Sequence, residues 1–491
     1  MYFVGKSLLA LGQLLVLRLP NIIVLMMLTR LQGADDAGLF SLAITYLILL
    51  TAWWSGLDEM VIRETARNSR GASGQEANSA RTTILTYGAA RMGVSATLCA
   101  VVLGILWVSG AYEAGALAFI AVLLLSSIGD GFTDAVQAGL YGRERFNYAF
   151  ALSSTQATLR IILAWAALTL SHSSLAVAWA WTLGSLGGAL AALAALIALF
   201  PRAPVMAPGS ASAVPLARWV REGWAFLAIG ILITLEYQQD IIVLSALQPL
   251  SEVGYYSVAT TLFASVGLPI RALRVALFPR MAQAAMDAVD TAGDAVQRLL
   301  YAFSVRWTLA IGLLCAFLGI VYAEPLVVLL FGPSMLAAVD SVRILMAAIL
   351  VFALNVPQSQ FLLATGRQNR TALLVAATVL VNLLANLLLG RAYGAEGAAL
   401  ARGISTTLYL ILAIWSIYRF VDPPAWRAWL APLAALAVAA GLAALLASWP
   451  WWLAAALAAM AYFAALLGGG AATGDWQALI GAAFSTPRNA R

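Results

Sequence analysis

The sequence has few charged residues and almost none of the residue types that build soluble active sites or disulfide frameworks. Only 10% of its 491 residues are charged, one is histidine and two are cysteines. Cys99 and Cys315 lie in apolar runs in opposite halves of the chain, which argues against a structural disulfide and favours two small buried side chains. The sequence offers no paired metal ligands, nucleophile triad or phosphate-binding loop, so we predict no metal, cofactor or catalytic residue.

What the chain has instead is apolar residues, which make up 63% of it and give a mean hydropathy of +0.90. A soluble core cannot absorb so much apolar surface, and apolar windows of roughly 20 residues recur from end to end. Helices satisfy their own backbone polar groups in lipid, so we predict an all-α polytopic membrane protein. About fourteen transmembrane helices are expected, at residues 7–29, 38–59, 82–108, 115–140, 148–170, 174–200, 220–247, 254–277, 301–322, 340–363, 371–390, 395–419, 428–447 and 450–469.

The positive charge lies between the apolar spans, which argues against a nucleic-acid partner despite the net charge of +6. Of the 28 basic residues, 21 fall in one set of alternate segments, and only Arg30 and Arg391 fall in the opposite set. Positive loops stay in the cytoplasm, so both termini are predicted to be cytoplasmic. The largest inner loop, 278–300, is predicted to be an amphipathic surface helix.

The chain resembles itself across its two halves. "NIIVLMML" at 21–28 matches "DIIVLSAL" at 240–247, and "AGLFSLAITY" at 37–46 matches "VGYYSVATTL" at 253–262. A third match pairs the "GR" segments that begin at 140 and 364, so the offsets are 219, 216 and 224 residues in the same order. We infer a duplication into two parallel six-helix bundles, the geometry of an alternating-access transporter. The expected domains are an N-terminal bundle, a cytoplasmic linker, a C-terminal bundle, and two extra helices with a cytoplasmic tail, at 1–205, 206–219, 220–420 and 421–491.

Charged residues within the predicted spans are the candidate functional residues. A charge at the bilayer centre costs roughly 2.5–3.5 kcal/mol on insertion scales, so such residues usually face a cavity or a partner. The carboxylates fall in pairs four residues apart, and they are candidates for binding a coupling H⁺ or Na⁺: Glu236, Asp240, Asp130 and Asp134. The arginines have a planar fork that grips phosphate in two places, and they are candidate ligands of an anionic substrate, especially a diphosphate: Arg18, Arg91, Arg160, Arg343 and Arg402.

Simpler roles remain open for several of these residues. Arg343 and Arg402 lie one to two turns from the predicted outer face and could snorkel outward, and Asp134 has the same alternative on the inner side. Asp58 and Glu59 lie at a predicted cytoplasmic end and are interpreted as interfacial charges. Buried arginine–carboxylate pairs could also be purely structural. The functional hypothesis is that the deeper charges converge on a hydrated cavity between the bundles.

Three stretches resemble the polysaccharide and O-antigen flippases of the multidrug/oligosaccharidyl-lipid/polysaccharide exporter superfamily. These are "EPLVVLLFGPSMLAAVDSVRILMAAILVFALN" at 324–355, "DIIVLSALQPLSEVGYYSVATTLFA" at 240–264, and "GRQNR" at 366–370. The resemblance implies a V-shaped pair of bundles that moves a polyprenyl-diphosphate-linked oligosaccharide to the outer leaflet of a bacterial cytoplasmic membrane. It also implies that the lipid tail stays among membrane lipids and that Arg18 and Arg91 occupy places comparable to cationic cavity residues. A monomer is expected.

Two other classes compete with the flippase. A cation-coupled exporter of drugs or metabolites from the same superfamily would use Glu236, Asp240 or Asp130 as its proton or sodium site. A membrane enzyme acting on lipid-linked sugars would need a sizeable outer polar loop, and no predicted outer loop exceeds about 20 residues. A major-facilitator transporter is disfavoured because the loop "LDEMVIRETARNSRGASG" at 57–74 lacks the glycine–aspartate–basic pattern of that family.

Overall fold

The computed structural model describes residues 2–52, 54–67, 74–200, 216–287, 291–417 and 427–468, and within these ranges it contains helices and no strand. A 3₁₀ turn, Pro333–Ala338, and a π-helical turn, Asn386–Gly390, accompany the α-helices. The α-helices are α1 Tyr2–Leu31, α2 Ala34–Ala52, α3 Ser55–Arg67, α4 Gly74–Ser109, α5 Ala114–Leu124, α6 Ser126–Gly142, α7 Phe146–Ser171, α8 Ser174–Leu199, α9 Leu216–Leu247, α10 Leu250–Val266, α11 Leu268–Asp287, α12 Thr291–Val321, α13 Ala323–Phe331, α14 Val339–Ala364, α15 Gln368–Ala385, α16 Arg391–Ile417, α17 Arg427–Leu445 and α18 Trp451–Gly468.

The predicted fold class, an all-α polytopic membrane protein, is confirmed. By length and hydropathy, nine helical stretches of the described residues could each cross a membrane, or ten if the bent pair α10 and α11 forms one span. The predicted number of fourteen is therefore not confirmed. One of the nine stretches, Gln368–Ile417, is interrupted at Gly394. The positive φ of 56° at this residue favours glycine, and the break lies between the predicted spans 371–390 and 395–419.

The chain forms two compact units, Met1–Ser257 and Val258–Arg491. The predicted domain boundaries stay predictions, since residues 201–215 of the linker region and 469–491 of the tail lie outside the described residues. The predicted surface helix at 278–300 coincides with the end of α11 and the start of α12, and residues 288–290 between them are not among those described.

In the first unit, α6 packs against α3, α4, α7 and α8, so it is the helix around which the unit is built. An apolar core fills the space between α4, α6, α7 and α8, with Ile84, Val136, Leu152 and Phe200 among its members. α1 packs on α7, and α9 packs on α2 and α3. The polar residues of α6 therefore meet three different neighbours within one tightly packed group of helices.

In the second unit, α14 packs between α12 and α16, and α11 packs on α12 and α14. The two C-terminal helices, which lie outside the sequence repeat, pack on each other and against α12. Their contact with α12 is apolar and rich in alanine, including Ala435, Ala439 and Ala458. A hydrogen bond of 2.8 Å from the Tyr462 hydroxyl to the backbone oxygen of Ala310 adds a polar contact to this packing.

Candidate functional site

Arg91 on α4 is the buried centre of an ion-pair group in the first unit, whose two carboxylates, Asp58 and Asp134, are 28% and 38% exposed. Its side chain is 4% exposed, and its two terminal nitrogens bind two different carboxylates. Nη1 lies 2.6 Å from Asp58 Oδ1 on α3, and Nη2 lies 2.5 Å from Asp134 Oδ2 on α6. The guanidinium also lies 5.6 Å from the ring centroid of Trp54. One arginine thus ties three helices together and is held charged between two acids.

Asp58, interpreted from the sequence as an interfacial charge, takes part in this group. Besides Arg91, it accepts a hydrogen bond of 2.7 Å from the hydroxyl of Tyr87, which lies one helical turn before Arg91 on α4. These contacts form because α3 packs on α6 and α4, and the Asp58 side chain stays 28% exposed. Glu59, its neighbour, is exposed as expected. Hydropathy alone places both residues at the end of a span and cannot tell which one faces inward.

Arg160 on α7 forms the second group. Its Nη2 atom lies 2.6 Å from Asp130 Oδ1 and 2.7 Å from Asp130 Oδ2 on α6, and it donates to Ser185 Oγ on α8 at 2.6 Å. Gln156, one turn before Arg160, donates a hydrogen bond of 2.7 Å to Asp130 Oδ1. The guanidinium lies 4.4 Å from the ring centroid of Trp181, which is a cation–π distance. This group joins α6, α7 and α8.

Glycines make room for both arginines. A Cβ atom at Gly184 on α8 would lie 2.7 Å from Cγ and 3.0 Å from Cα of Arg160, and one at Gly131 on α6 would lie 3.2 Å from Cγ of Arg91. Each glycine faces the aliphatic stem of its arginine. The stems are packed against backbone while the charged ends reach the carboxylates, so these arginines are held in fixed positions.

A neutral polar group continues the polar face of α6. Gln13 on α1 donates to Ser153 Oγ on α7 at 2.9 Å and to Gln137 Oε1 on α6 at 3.3 Å, and all three side chains are buried. Sequence reasoning missed this group, although Gln137 follows Asp134 by three residues and extends the same helical face. Three polar side chains of α6 therefore bind three different helices: Asp130 binds α7, Asp134 binds α4 and Gln137 binds α1.

The carboxylates predicted on α9 lie in the first unit. Asp240 is fully buried and accepts a hydrogen bond from the hydroxyl of Tyr256 on α10. Glu236, one turn earlier, is partly exposed. In the other copy of the repeat the matching positions are Asn21 and Phe40. Both members of the hydrogen-bonded pair are thus particular to the second copy.

The remaining predicted arginines have different surroundings. Arg18 on α1 is partly exposed. Arg402 on α16 is 8% exposed. Arg343 on α14 lies 2.9 Å from Asp340, one helical turn before it, and both side chains are open, with 43% and 63% exposure. Arg343 and Arg402 belong to the second unit, whereas the other three predicted arginines and all four predicted carboxylates belong to the first.

The described ion pairs of the first unit comprise two guanidinium groups and three carboxylates. Such an arrangement can exchange partners, because a phosphate oxygen or a cation could replace one member of a pair. Among the described residues, no group of three or more His, Cys, Asp or Glu side chains is placed to hold a metal ion.

Residues 5–285 match the family described as polysaccharide biosynthesis protein. No curated protein matches the sequence significantly. The lipid II flippase MurJ in an inward closed conformation is 12% identical, with 94% of this chain and 98% of that one covered and a TM-score of 0.68. An inward-facing multidrug resistance transporter of the MATE family and MOP superfamily is 15% identical. The match covers 82% of this chain and 94% of that one, with a TM-score of 0.67.

A third solved structure is a MOP superfamily transporter from Pyrococcus furiosus with a binding pocket of reversed polarity. It is 16% identical, and the match covers 85% of this chain and 95% of that one, with a TM-score of 0.59. At these identities the likeness concerns the fold. The neighbours are a flippase and transporters rather than enzymes, and the chain is a multi-pass membrane protein.

Proposed function

Because the chain belongs to the polysaccharide biosynthesis protein family, we propose that it is a flippase for a polyprenyl-diphosphate-linked oligosaccharide. It moves this lipid from the inner to the outer leaflet of a bacterial cytoplasmic membrane by alternating access, with both termini in the cytoplasm. The observation that carries the proposal is the family match over residues 5–285. The fold shared with a lipid II flippase is consistent with it.

The five membrane-embedded arginines are the proposed ligands of the diphosphate, and Arg91 and Arg160 are the best positioned for exchange. Their carboxylate partners keep them charged and oriented in apolar surroundings. A phosphate group offers an arginine the same kind of acceptor oxygens as a carboxylate. The diphosphate therefore replaces Asp134 or Asp130 on the guanidinium, and the head group travels through the protein while its tail stays in lipid.

Such an exchange releases a carboxylate, and this supplies a route to ion coupling. A carboxylate left in apolar surroundings without its arginine is costly and is neutralised by a proton or a cation. Asp130 and Asp134 are the proposed coupling groups in this scheme, and Glu236 and Asp240 on α9 are proposed as further ones. Binding of H⁺ or Na⁺ and binding of the diphosphate then alternate at the same arginines.

The second candidate function is a proton- or sodium-coupled exporter of drugs or metabolites. The fold shared with a multidrug resistance transporter and the presence of three carboxylates in the described pairs of the first unit favour this alternative. The two candidates differ in their dependence on arginine, since a cationic drug needs the carboxylates and does not need the guanidinium groups.

The proposal is tested by deleting the gene in its host and complementing it with variants. Deletion is expected to abolish the surface glycan and to leave lipid-linked oligosaccharide in the membrane. Arg18→Ala is expected to fail in complementation with unchanged protein in the membrane, whereas Arg63→Ala, at an exposed residue of α3 that is not among the proposed ligands, serves as the matched control. A normal glycan in the deletion strain contradicts the proposal, and sensitivity of that strain to cationic dyes would favour the exporter.

A further inference from the structure

The first turns of α2 and α10 touch through backbone atoms at two glycines, Gly38 and Gly254. A Cβ atom at Gly38 would overlap the backbone oxygen of Leu250, and a Cβ atom at Gly254 would overlap the backbone oxygen of Ala34. Both contact segments lie in the unit Met1–Ser257. Only glycine, which lacks a Cβ, permits this approach.

The contact is reciprocal between the two copies of the sequence repeat. The offset of 216 residues that matches 37–46 with 253–262 also matches Gly38 with Gly254 and Ala34 with Leu250. Ala34 and Leu250 are the first residues of α2 and α10. Gly38 of the first copy therefore meets Leu250 of the second copy, and Gly254 of the second copy meets the equivalent residue of the first, Ala34. A contact of this form has a local two-fold axis, as in an isologous interface.

Two features suit this contact to opening and closing. At Gly38 and Gly254 the helices meet through backbone atoms, so neither of these two residues has a side chain that must repack when they separate. The orientation of the basic residues places the starts of α2 and α10 on the outer side of the membrane. Next to the crossing, the side chains of Ala37 and Val253, which are also matched by the 216-residue offset, are fully buried.

We propose that the Gly38–Gly254 crossing is the outer gate of the transport path, closed in this conformation and separated when the path opens outward. The inference rests on the proposed function, since an alternating-access transporter must close one side while the other is open. Because the two glycines are related by symmetry, the same displacement of α2 from α10 relieves both contacts. A side chain at either position holds the helices apart and favours the outward-open state.

The gate is tested by cysteine accessibility from the outer side. Ala37→Cys is introduced in a chain with Cys99→Ala and Cys315→Ala, and right-side-out vesicles are treated with a membrane-impermeant maleimide. Labelling is expected to be low with glycine at the crossing and severalfold higher after Gly38→Ala or Gly254→Ala. The double variant is expected to label no more than either single one. A further rise in the double variant would indicate two independent distortions and would contradict the gate.

Two controls separate gating from damage to the fold. Gly104→Ala, at a helical glycine with nothing within 4 Å of an added Cβ, must leave labelling unchanged. Ala178→Cys, a fully buried position in the same unit near the start of α8, which is also predicted to lie on the outer side, must stay protected in the Gly38→Ala chain. If Ala178→Cys becomes labelled as well, or if Gly38→Ala labels no more than Gly104→Ala, the gate is refuted. The assay requires no glycan, so failure of the gate and failure of the proposed substrate are distinguished.

Discussion

Removal of Arg160 should destabilise the protein strongly, and removal of Asp130 at the same time should reverse most of the loss. The two side chains are 13% and 14% exposed and meet at 2.6 Å. Arg160→Met leaves the Asp130 carboxylate buried with Gln156 as its remaining described partner, and stranding a buried charge in this way costs about 3–5 kcal/mol of unfolding free energy. In Arg160→Met/Asp130→Leu the stranded charge is gone. The amide of Gln156 then lacks its acceptor, which costs about 1 kcal/mol.

The double variant should therefore be about 2–4 kcal/mol more stable than the single one, by the difference between those two costs. The assay is reversible SDS unfolding of the purified protein in mixed micelles. Arg343→Met is the control, because its exposed pair with Asp340 should contribute less than about 1 kcal/mol. If the double variant is as unstable as Arg160→Met, the stranded charge is not the cause. If it is stable yet exports no glycan, Arg160 is needed for transport and not for folding alone.

Two further substitutions test the packing around the charges. Gly184→Ala should lower the free energy of unfolding by about 1–3 kcal/mol in the same assay, because the added Cβ presses on the stem of Arg160. The control is Gly104→Ala, which has open space around it and should be neutral or slightly stabilising. Equal losses in the two variants would refute the packing argument. Tyr256→Phe removes a hydrogen bond to the buried Asp240 and should cost about 1.5–3 kcal/mol; an unchanged midpoint would mean that the phenol does not stabilise this carboxylate.

The helices could be predicted from the sequence because apolar runs of membrane length are a strong signal. The alternation of basic and uncharged segments predicts an orientation, which stays a prediction, and the sequence places the arginines at 91 and 160 deep within their spans. Both are partnered by carboxylates within the first unit. The predicted span 115–140 corresponds to α5 and α6, which together form one stretch, Ala114–Gly142, long and apolar enough to cross a membrane.

The choice of partners could not be predicted, because it depends on which helices approach each other. Arg91 and Asp58 are 33 residues apart, and Gln13 and Ser153 are 140 apart. Nothing in the local pattern around Asp58 distinguishes an inward-facing acid from an interfacial one. The glycine crossing of α2 and α10 was likewise hidden, although the repeat had already matched the two segments that form it.

The central claim is that this chain carries a polyprenyl-diphosphate-linked oligosaccharide across the membrane. The most direct measurement is the leaflet position of the radiolabelled lipid-linked oligosaccharide, read from its reaction with a membrane-impermeant oxidant in right-side-out vesicles. After depletion of the protein, the oligosaccharide should become unreactive from the outside and should react only in inverted vesicles. If it reaches the outer leaflet at the normal rate without the protein, the claim is contradicted.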